Sequence, residues 1–262
     1  MFMIILYRIL IIITCCIVGY LFGSIPNSVI IGKIYHKDPR EYGSKNPGGT
    51  NVGRVISHFA GALTIFLDAL KVVIPMTIIW YLTKYYEPFI NLMNGNNLVY
   101  NWYGFGNSLT DLCYYLVPLF CFIGHSYSCF IKFKGGKIVS TVVGLMFATT
   151  YLAIPIFIVI FFISLKTSKY VSLSSMIMSS SFMIFTWIVY LIYLLAGYNP
   201  QISNYLMYFT ISGPISIFYP IIATLGNILL IYKHRENIKR LINKTESKVK
   251  WIDNIGKNKN SD

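Results

Sequence analysis

The chain reads IVSTVVGLMFATTYLAIPIFIVIFFISL at residues 138–165, without a charged side chain over these 28 positions. A helix crosses the hydrocarbon core of a bilayer in about 20 apolar residues, so this stretch is long for one crossing and short for two. Two crossings would have to turn near residues 149–155. The number of crossings decides on which side of the membrane every later loop lies, and with it the fold.

Other apolar stretches surround this one along the 262-residue chain. They lie near residues 3–32, 59–82, 112–131, 171–196 and 206–232. Hydrophobic residues make up 55% of the chain and charged residues 12%, a composition that excludes a water-soluble domain. The first stretch is too long for the apolar core of a cleaved signal peptide, so we interpret it as a retained span. The sequence predicts an all-α, polytopic membrane protein.

The basic residues favour one number of crossings. Nineteen of the 22 Lys and Arg residues fall into four clusters, at residues 33–54, 132–137, 166–169 and 233–259. Basic loops lie preferentially on the cytoplasmic side of a membrane. One crossing at residues 138–165 would divide the clusters between two sides, whereas two crossings place all four on one side. The sequence therefore predicts seven transmembrane helices, with the N-terminus outside, the C-terminus cytoplasmic and two short central spans of roughly 20 Å each.

Charge and cysteine content exclude two other classes of protein. The formal net charge is +13, which in a soluble protein would suggest a nucleic-acid partner. Here the charge is confined to loops beside apolar spans, so we expect membrane lipids as partners and no nucleic acid. The five cysteines form no CxxC pair, which argues against a disulfide framework or a zinc site.

The chain is predicted to form one domain. Residues 1–246 are interpreted as a single transmembrane domain, followed by a basic, disordered tail at residues 247–262. Residues 83–111 contain several Asn and Gly and are interpreted as a mobile external connector.

A first polar motif, GSKNPGGTNVGR, occupies residues 43–54 just before the second span. Its glycines permit close backbone approach, Ser44, Thr50 and Asn51 offer hydrogen bonds, and the Arg54 guanidinium can hold a phosphate with two bonds. These residue types together are typical of a phosphate site. The alternative is an ordinary Gly and Asn turn flanked by positive charge.

A second motif, Phe133-Lys-Gly-Gly-Lys137, also leads directly into an apolar span. Two glycines between lysines suit a backbone nest for an oxyanion. The motif lacks the strand and the spacing of a Walker loop, so a nucleoside triphosphate is not indicated. His125, shortly upstream, is interpreted as a residue that packs and hydrogen-bonds between helices. Asp68 and Lys71 lie one helical turn apart within the second span and are predicted to form a structural ion pair.

A third motif, HRENIKRL at residues 234–241, extends the last span. If it is helical, His234, Asn237 and Leu241 share one face. A basic amphipathic segment attracted to anionic lipid is the alternative. That alternative accounts for Arg235 and the lysines but not for His234 and Asn237, so we expect these two residues to contact a ligand.

The order and spacing of these motifs resemble the bacterial acyl-phosphate:glycerol-3-phosphate acyltransferases. The resemblance also includes GSIP at residues 23–26, FLD at 66–68, Gly124-His125, YVSL at 170–173 and Glu246. It implies an enzyme of the bacterial plasma membrane that transfers a fatty acyl group from acyl phosphate to the 1-hydroxyl of glycerol 3-phosphate, giving 1-acylglycerol 3-phosphate for phospholipid synthesis. It further implies no metal, no other cofactor and no obligate protein partner.

The resemblance also implies roles for individual residues. Residues expected to bind glycerol 3-phosphate are Ser44, Arg54, Lys137, His234 and Asn237, of which Ser44, Lys137, His234 and Asn237 are expected to act in catalysis. Residues expected to bind the acyl phosphate are Thr50, Asn51 and the backbone of Gly135 and Gly136. The proton of the attacking hydroxyl is expected to pass to a substrate phosphate, with His234, at a pKa near the working range, as the alternative general base.

One departure from the family motif and two rival functions complete the prediction. Ile138 stands where the family carries a glycine after Lys137, a difference expected to bear on substrate approach and donor affinity. A transporter for a phosphorylated metabolite would place ionisable residues near the membrane midplane in paired repeats. A lipid-binding scaffold would need only the basic tail and would leave the glycine-rich loops unexplained.

Overall fold

The structure is a computed structural model that describes residues 2–94, 109–196 and 215–249. The regular secondary structure in these ranges is entirely helical. The α-helices are α1 Phe2–Ser24, α2 Asn27–Ile34, α3 Gly49–Val55, α4 His58–Tyr85, α5 Glu87–Asn94, α6 Leu109–Ser126, α7 Val139–Thr149, α8 Ile154–Ser168, α9 Val171–Leu195, α10 Phe218–Lys233 and α11 Arg235–Ile242. Short 3₁₀ turns lie at Cys129–Ile131 and Tyr151–Ala153.

The apolar segments found in the sequence are helices in the structure. Five segments are long and apolar enough to cross a membrane: Phe2–Ile34, His58–Tyr85, Leu109–Ile131, Tyr151–Ser168 and Val171–Leu195. Val139–Thr149 and Phe218–Lys233 are shorter apolar helices. In the described ranges the chain therefore has the architecture of an integral membrane protein.

The central stretch is broken at the predicted place. Helix α7 ends at Thr149 and α8 begins at Ile154, with a single 3₁₀ turn between them. Carbonyls at the end of α7 accept hydrogen bonds from side chains: Tyr114 Oη donates to the Ala148 carbonyl over 3.1 Å, and Thr150 Oγ1 donates to the Met146 carbonyl over 3.1 Å. Irregular backbone at membrane depth must find partners within the protein because lipid offers none. Neighbouring hydroxyls meet that requirement here.

Small residues allow α1 and α6 to pack closely. A side chain at Gly23 would collide with the backbone of Cys121, and one at Gly124 would collide with the carbonyl of Tyr20. Small residues permit this approach between membrane helices, where packing replaces the hydrophobic driving force. The contact fixes the end of α6, from which the loop to α7 departs.

The structure corrects two details of the apolar segments and connectors. The predicted first span is interrupted between α1 and α2 at Ile25-Pro26, as expected for a residue that cannot donate a backbone hydrogen bond. The predicted mobile connector at residues 83–111 contains helix α5, on which Phe89 and Met93 are buried. Arg8 Nε also donates to the carbonyl of Leu92 over 2.7 Å. Residues 95–108 and the predicted external loop 197–205 lie outside the described residues.

The folded part of the chain extends past the predicted start of the tail. Val249 is buried and its backbone N–H donates to the carbonyl of Lys169 over 2.9 Å. Residues 247–249 thus belong to the folded part of the chain, which corrects the predicted boundary at Glu246. Residues 250–262 lie outside the described residues.

Candidate active site

The three polar motifs meet in one cavity of about 610 Å³ at the end of the helix bundle. Seven of the predicted site residues line it: Ser44, Thr50, Asn51, Arg54, Lys137, His234 and Asn237. They come from the loop before α3, from α3 itself, from the loop before α7 and from the junction of α10 and α11. Residues nearly 200 positions apart in sequence are thereby brought together. Gly135 and Gly136 do not line this cavity.

Asn51 organises the first motif through its side-chain amide. Its Oδ1 accepts from the Ser44 N–H over 2.9 Å, and its Nδ2 donates to the carbonyls of Pro39 and Tyr42 over 2.7 and 3.1 Å. The side chain is buried. Gly43 has a left-handed φ of 62°, a conformation that glycine adopts without strain. These bonds fold the loop that presents Ser44, and the predicted contact of Asn51 with the acyl phosphate stays a prediction.

The double glycine of the second motif has a packing role. The Gly135 N–H donates to the Ser126 carbonyl over 3.1 Å and the Gly136 N–H to the His125 carbonyl over 3.0 Å. A side chain at Gly135 would collide with the His125 carbonyl, and one at Gly136 with the His125 ring. Both N–H groups have acceptors within the protein in this structure, and the predicted contact of this backbone with the acyl phosphate stays a prediction. The glycines instead let the loop lie directly against the end of α6.

Lys137 follows these glycines and reaches into the cavity. Its Nζ donates to Asn237 Oδ1 over 2.6 Å, and the Asn237 Nδ2 donates to Glu246 Oε1 over 2.7 Å. Glu246 also accepts from Ser172 Oγ and from Arg240 Nε, each over 2.7 Å. Asn237 thus joins the predicted lysine to a carboxylate on the opposite wall.

The cavity is electropositive. Its described lining carries five basic side chains, Lys45, Arg54, Lys137, Arg240 and Lys248, and one carboxylate, Glu246. Burial and the nearby Arg240 lower the pKa of Lys137 to about 8. Burial alone would raise the pKa of Glu246, but the hydrogen bonds that it accepts lower the pKa below its usual value. The carboxyl is therefore ionised at neutral pH, and the lining keeps an excess of positive charge that suits a phosphate.

His234 is buried at the start of α11 and is neutral at pH 7. Its Nδ1 lies 2.8 Å from the carbonyl of Leu230, and because a carbonyl can only accept, we assign the proton to Nδ1 and leave Nε2 as an acceptor. Burial lowers the pKa of His234 to about 4. The expected pKa near the working range is therefore wrong, and the side chain is a weaker base than expected.

Sequence reasoning missed part of the cavity lining. Ser172 was noted only as part of the family resemblance, and Glu246 and Arg240 were given no ligand-binding role, yet all three line the cavity. The sequence contained one usable signal, because Ser172 and Glu246 both lie in stretches that carry the family resemblance. What brings them together is the packing of α9 against α10, which no local pattern reveals.

An apolar groove of about 590 Å³ adjoins the polar cavity. The two share Thr50, Arg54, Val171 and Lys248 as lining residues. Apolar residues from α4 and α8, including Ile65, Phe161, Phe162 and Leu165, form much of the groove. An amphiphile could thus place a charged head in the cavity and an apolar chain in the groove.

Ile138 takes no part in the cavity. It is completely buried in the helix core and is not among the lining residues. Its φ of 55° is left-handed, which is unfavourable by about 1–2 kcal/mol for a residue with a side chain. A glycine at this position would relieve that strain, so backbone conformation explains the family's glycine better than the predicted effect on substrate approach.

Comparisons with known proteins show the family to which the chain belongs. A family model described as Glycerol-3-phosphate acyltransferase matches residues 13–244. A glycerol-3-phosphate acyltransferase of Mycoplasmopsis synoviae is 35% identical over 240 residues, which cover 89% of this chain and 92% of the relative.

Two solved structures show the same fold, and both are crystal structures of PlsY (YgiH), an integral membrane glycerol 3-phosphate acyltransferase. Its glycerol 3-phosphate form aligns with a TM-score of 0.67 and 27% identity, covering 94% of this chain and 99% of that one. Its lysophosphatidic acid form aligns with a TM-score of 0.65 and 28% identity, covering 91% and 95%. The chain belongs to the glycerol-3-phosphate acyltransferase family of integral membrane enzymes.

Proposed function

We propose that this enzyme transfers a fatty acyl group from acyl phosphate to the 1-hydroxyl of glycerol 3-phosphate, forming lysophosphatidate for phospholipid synthesis. The observation that carries the proposal is the electropositive cavity that opens onto an apolar groove through four shared residues. The related PlsY has been crystallised in glycerol 3-phosphate and lysophosphatidic acid forms, which are the acceptor and the product of this reaction.

The acceptor fits the part of the cavity that contains Lys137. We assign its phosphate to Arg54 and Lys137, with further hydrogen bonds from Ser44, His234 and Asn237, all of which line the cavity. Arg54 can donate two parallel bonds and Lys137 one charge-assisted bond to a phosphate. Thr50, at the junction with the groove, is assigned to the acyl phosphate.

The reaction requires little acid–base help from the protein. The 1-hydroxyl oxygen attacks the acyl carbon, an ester C–O bond forms, and the bond between the acyl carbon and the phosphate oxygen breaks. Inorganic phosphate leaves and takes the hydroxyl proton. Since phosphate is a good leaving group, holding the two substrates together supplies most of the acceleration. The low pKa of His234 favours a substrate phosphate over this residue as the proton acceptor.

The topology that follows has seven crossings and a cytoplasmic active site. The five long apolar segments and the two shorter apolar helices supply the crossings. With the N-terminus outside, all four basic clusters lie on the cytoplasmic side of a bacterial plasma membrane, as the distribution of positive charge favours. One transmembrane domain, which extends to residue 249, then carries both substrate sites.

The donor is tested with the purified protein in detergent. We expect glycerol 3-phosphate to be acylated by palmitoyl phosphate and not by palmitoyl-CoA, with lysophosphatidate and inorganic phosphate formed in equal amounts. Activity with palmitoyl-CoA alone, or none with palmitoyl phosphate in a protein whose thermal transition shows that it is folded, would refute the proposed donor.

A further inference from the structure

The segment after α11 lines the cavity from Thr245 to Lys248 and is held near its start by Glu246. Both oxygens of this carboxylate are engaged by the cavity walls: Oε1 accepts from Ser172 and Asn237, and Oε2 from Arg240. The family model matches as far as residue 244 and the motifs of the family resemblance reach Glu246, so the positions after Glu246 lie beyond both. The carboxylate fixes where this extension of the chain begins.

A second anchor holds the extension three residues later. The Val249 N–H donates to the Lys169 carbonyl over 2.9 Å, which lies in the turn between α8 and α9. The Val249 side chain is buried and lines the apolar groove. Residues 246–249 are therefore fixed at both ends, with Lys248 between the two anchors.

Lys248 lies where the polar cavity and the apolar groove meet. It lines both, as do Thr50 and Arg54. Its ammonium is 5.8 Å from the centre of the Tyr170 ring, at the outer limit of a cation–π contact. Such a contact is weak, so the side chain can turn from the ring to a phosphate at little cost.

The chemistry of the donor requires a cation at this junction. An acyl phosphate joins an apolar chain directly to a charged phosphate, so a donor that lies in the groove must place its phosphate where the groove opens into the cavity. Arg54 also lines this place but is assigned to the acceptor phosphate, so Lys248 is the cation left for the donor phosphate. A cation here stabilises the charge that develops on the phosphate as the acyl bond to it breaks.

We propose that Lys248, supplied by the extension beyond the family match, binds the phosphate group of the acyl donor at the junction of cavity and groove. The inference rests on the proposed use of an acyl phosphate. It separates the two substrates by residue: Lys137 serves the acceptor phosphate, and Lys248 serves the donor phosphate.

The test compares Lys248→Ala with a matched lysine elsewhere on the surface. We expect Lys248→Ala to raise KM for palmitoyl phosphate about 5- to 10-fold, as for the loss of one exposed charge-assisted bond, with KM for glycerol 3-phosphate and the thermal transition unchanged. Lys248→Arg should restore most of the affinity. Lys239→Ala is the control, because Lys239 is exposed on α11, lies 3.6 Å from Glu236 and does not line the cavity.

A second variant tests the anchor and not the charge. Val249→Pro removes the N–H that bonds to Lys169 and should raise KM for palmitoyl phosphate to a similar degree. The inference is overturned if Lys248→Ala behaves like Lys239→Ala, if it affects only KM for glycerol 3-phosphate, or if Val249→Pro leaves both KM values unchanged. A wild-type enzyme inactive with palmitoyl phosphate would instead refute the proposed function.

Discussion

Two groups of charged and polar residues lie in this protein, one inside the helix bundle and one at its end. The inner group consists of Asn27, Asp68, Lys71 and His125, all buried. Asp68 Oδ1 accepts from Asn27 Nδ2 over 3.0 Å, lies 3.1 Å from Lys71 Nζ and is 3.9 Å from His125 Nδ1. The outer group lines the active-site cavity and has five cations with one carboxylate among its described members.

The difference shows how a substrate-binding group can be distinguished from a structural group when both contain the same residue types. The inner group balances its charge internally and borders a cavity of about 10 Å³, too small for a substrate. The outer group has excess positive charge around about 610 Å³. The predicted ion pair of Asp68 and Lys71 is confirmed at 3.1 Å, and its complete pairing identifies it as structural.

The two groups are mechanically connected through His125. Its side chain lies beside Asp68, and its carbonyl accepts the Gly136 N–H. The inner group thus supports the loop that carries Lys137. Breaking the inner group should affect folding first, whereas removing a charged side chain of the outer group that contacts substrate should affect substrate binding alone.

The largest expected effect is on stability and comes from Asp68→Ala. Removal of one partner leaves the Lys71 charge buried without its counter-ion, which destabilises the protein by about 3–5 kcal/mol. We expect a large fall in the temperature of thermal inactivation in detergent, with KM for glycerol 3-phosphate in the surviving enzyme within about threefold of wild type.

The double variant Asp68→Leu with Lys71→Met is its control. It removes both charges, so much of the lost stability should return, because an apolar pair of similar size can replace a buried ion pair. A stable Asp68→Ala enzyme with a greatly raised KM would place Asp68 in the binding site and contradict the structural role.

The next effect is on activity and comes from Lys137→Ala. Loss of a charge-assisted bond to the substrate phosphate is worth about 1.5–3 kcal/mol, so kcat/KM for glycerol 3-phosphate should fall roughly 10- to 150-fold, mainly through KM. The thermal transition should stay close to that of wild type. Lys134→Ala, in the same loop but outside the cavity lining, should change neither quantity. Equal losses in both variants would show that the loop, and not Lys137, is responsible.

A third effect appears on raising the pH. Burial and the nearby Arg240 lower the pKa of Lys137 to about 8, so the binding cation loses its proton above this pH. The substrate phosphate is already dianionic there, since its second pKa is about 6. At saturating acyl phosphate, kcat/KM for glycerol 3-phosphate should fall by up to about tenfold per pH unit above 8.

Lys137→Arg separates this titration from other causes. A guanidinium stays protonated throughout the range, so the fall above pH 8 should disappear even if the absolute activity is lower. A profile with the same decline in the arginine variant would assign the titration to a different group.

The sequence was sufficient to predict the apolar segments, the break in residues 138–165 and the residues that gather around the cavity. The segments and the break follow from local composition and charge, whereas the choice of cavity residues also rests on the motifs that carry the family resemblance. Helix α5 was missed because residues 83–111 were interpreted from their Asn and Gly content, although Phe89, Leu92 and Met93 follow one another at helical spacing. The burial of Phe89 and Met93 depends on contact with other helices, which a local pattern does not contain.

The roles of individual residues were harder to predict than which residues line the cavity. Residue types suited to phosphate binding occur at Asn51, Gly135 and Gly136. The Asn51 amide and the two glycine N–H groups instead form hydrogen bonds within the protein. The sequence does not show whether an amide or a backbone N–H bonds to a ligand or to a nearby carbonyl. Only the three-dimensional neighbours decide between the two.

Thr50 and Asn51 offer the smallest and most specific test of that distinction. They are adjacent and were assigned the same ligand, but Asn51 is buried within its own loop, whereas Thr50 is exposed and lines both the cavity and the groove. Thr50→Val keeps the side-chain volume and removes the hydroxyl. Loss of one neutral hydrogen bond, about 0.5–1.5 kcal/mol, should raise KM for palmitoyl phosphate roughly 2- to 10-fold without altering the thermal transition.

Asn51→Ala should behave differently because it releases three hydrogen bonds that shape the loop. We expect it to lower the thermal transition and to raise KM for both substrates, since Ser44 and Arg54 lose their fixed positions together. If Asn51→Ala instead raised KM for palmitoyl phosphate alone, at unchanged stability, its amide would contact the donor after all. Thr50 and Asn51 would then belong to one binding surface. Asn51 would be a substrate-binding residue of the cavity, and the support of the loop would have to come from residues other than Asn51.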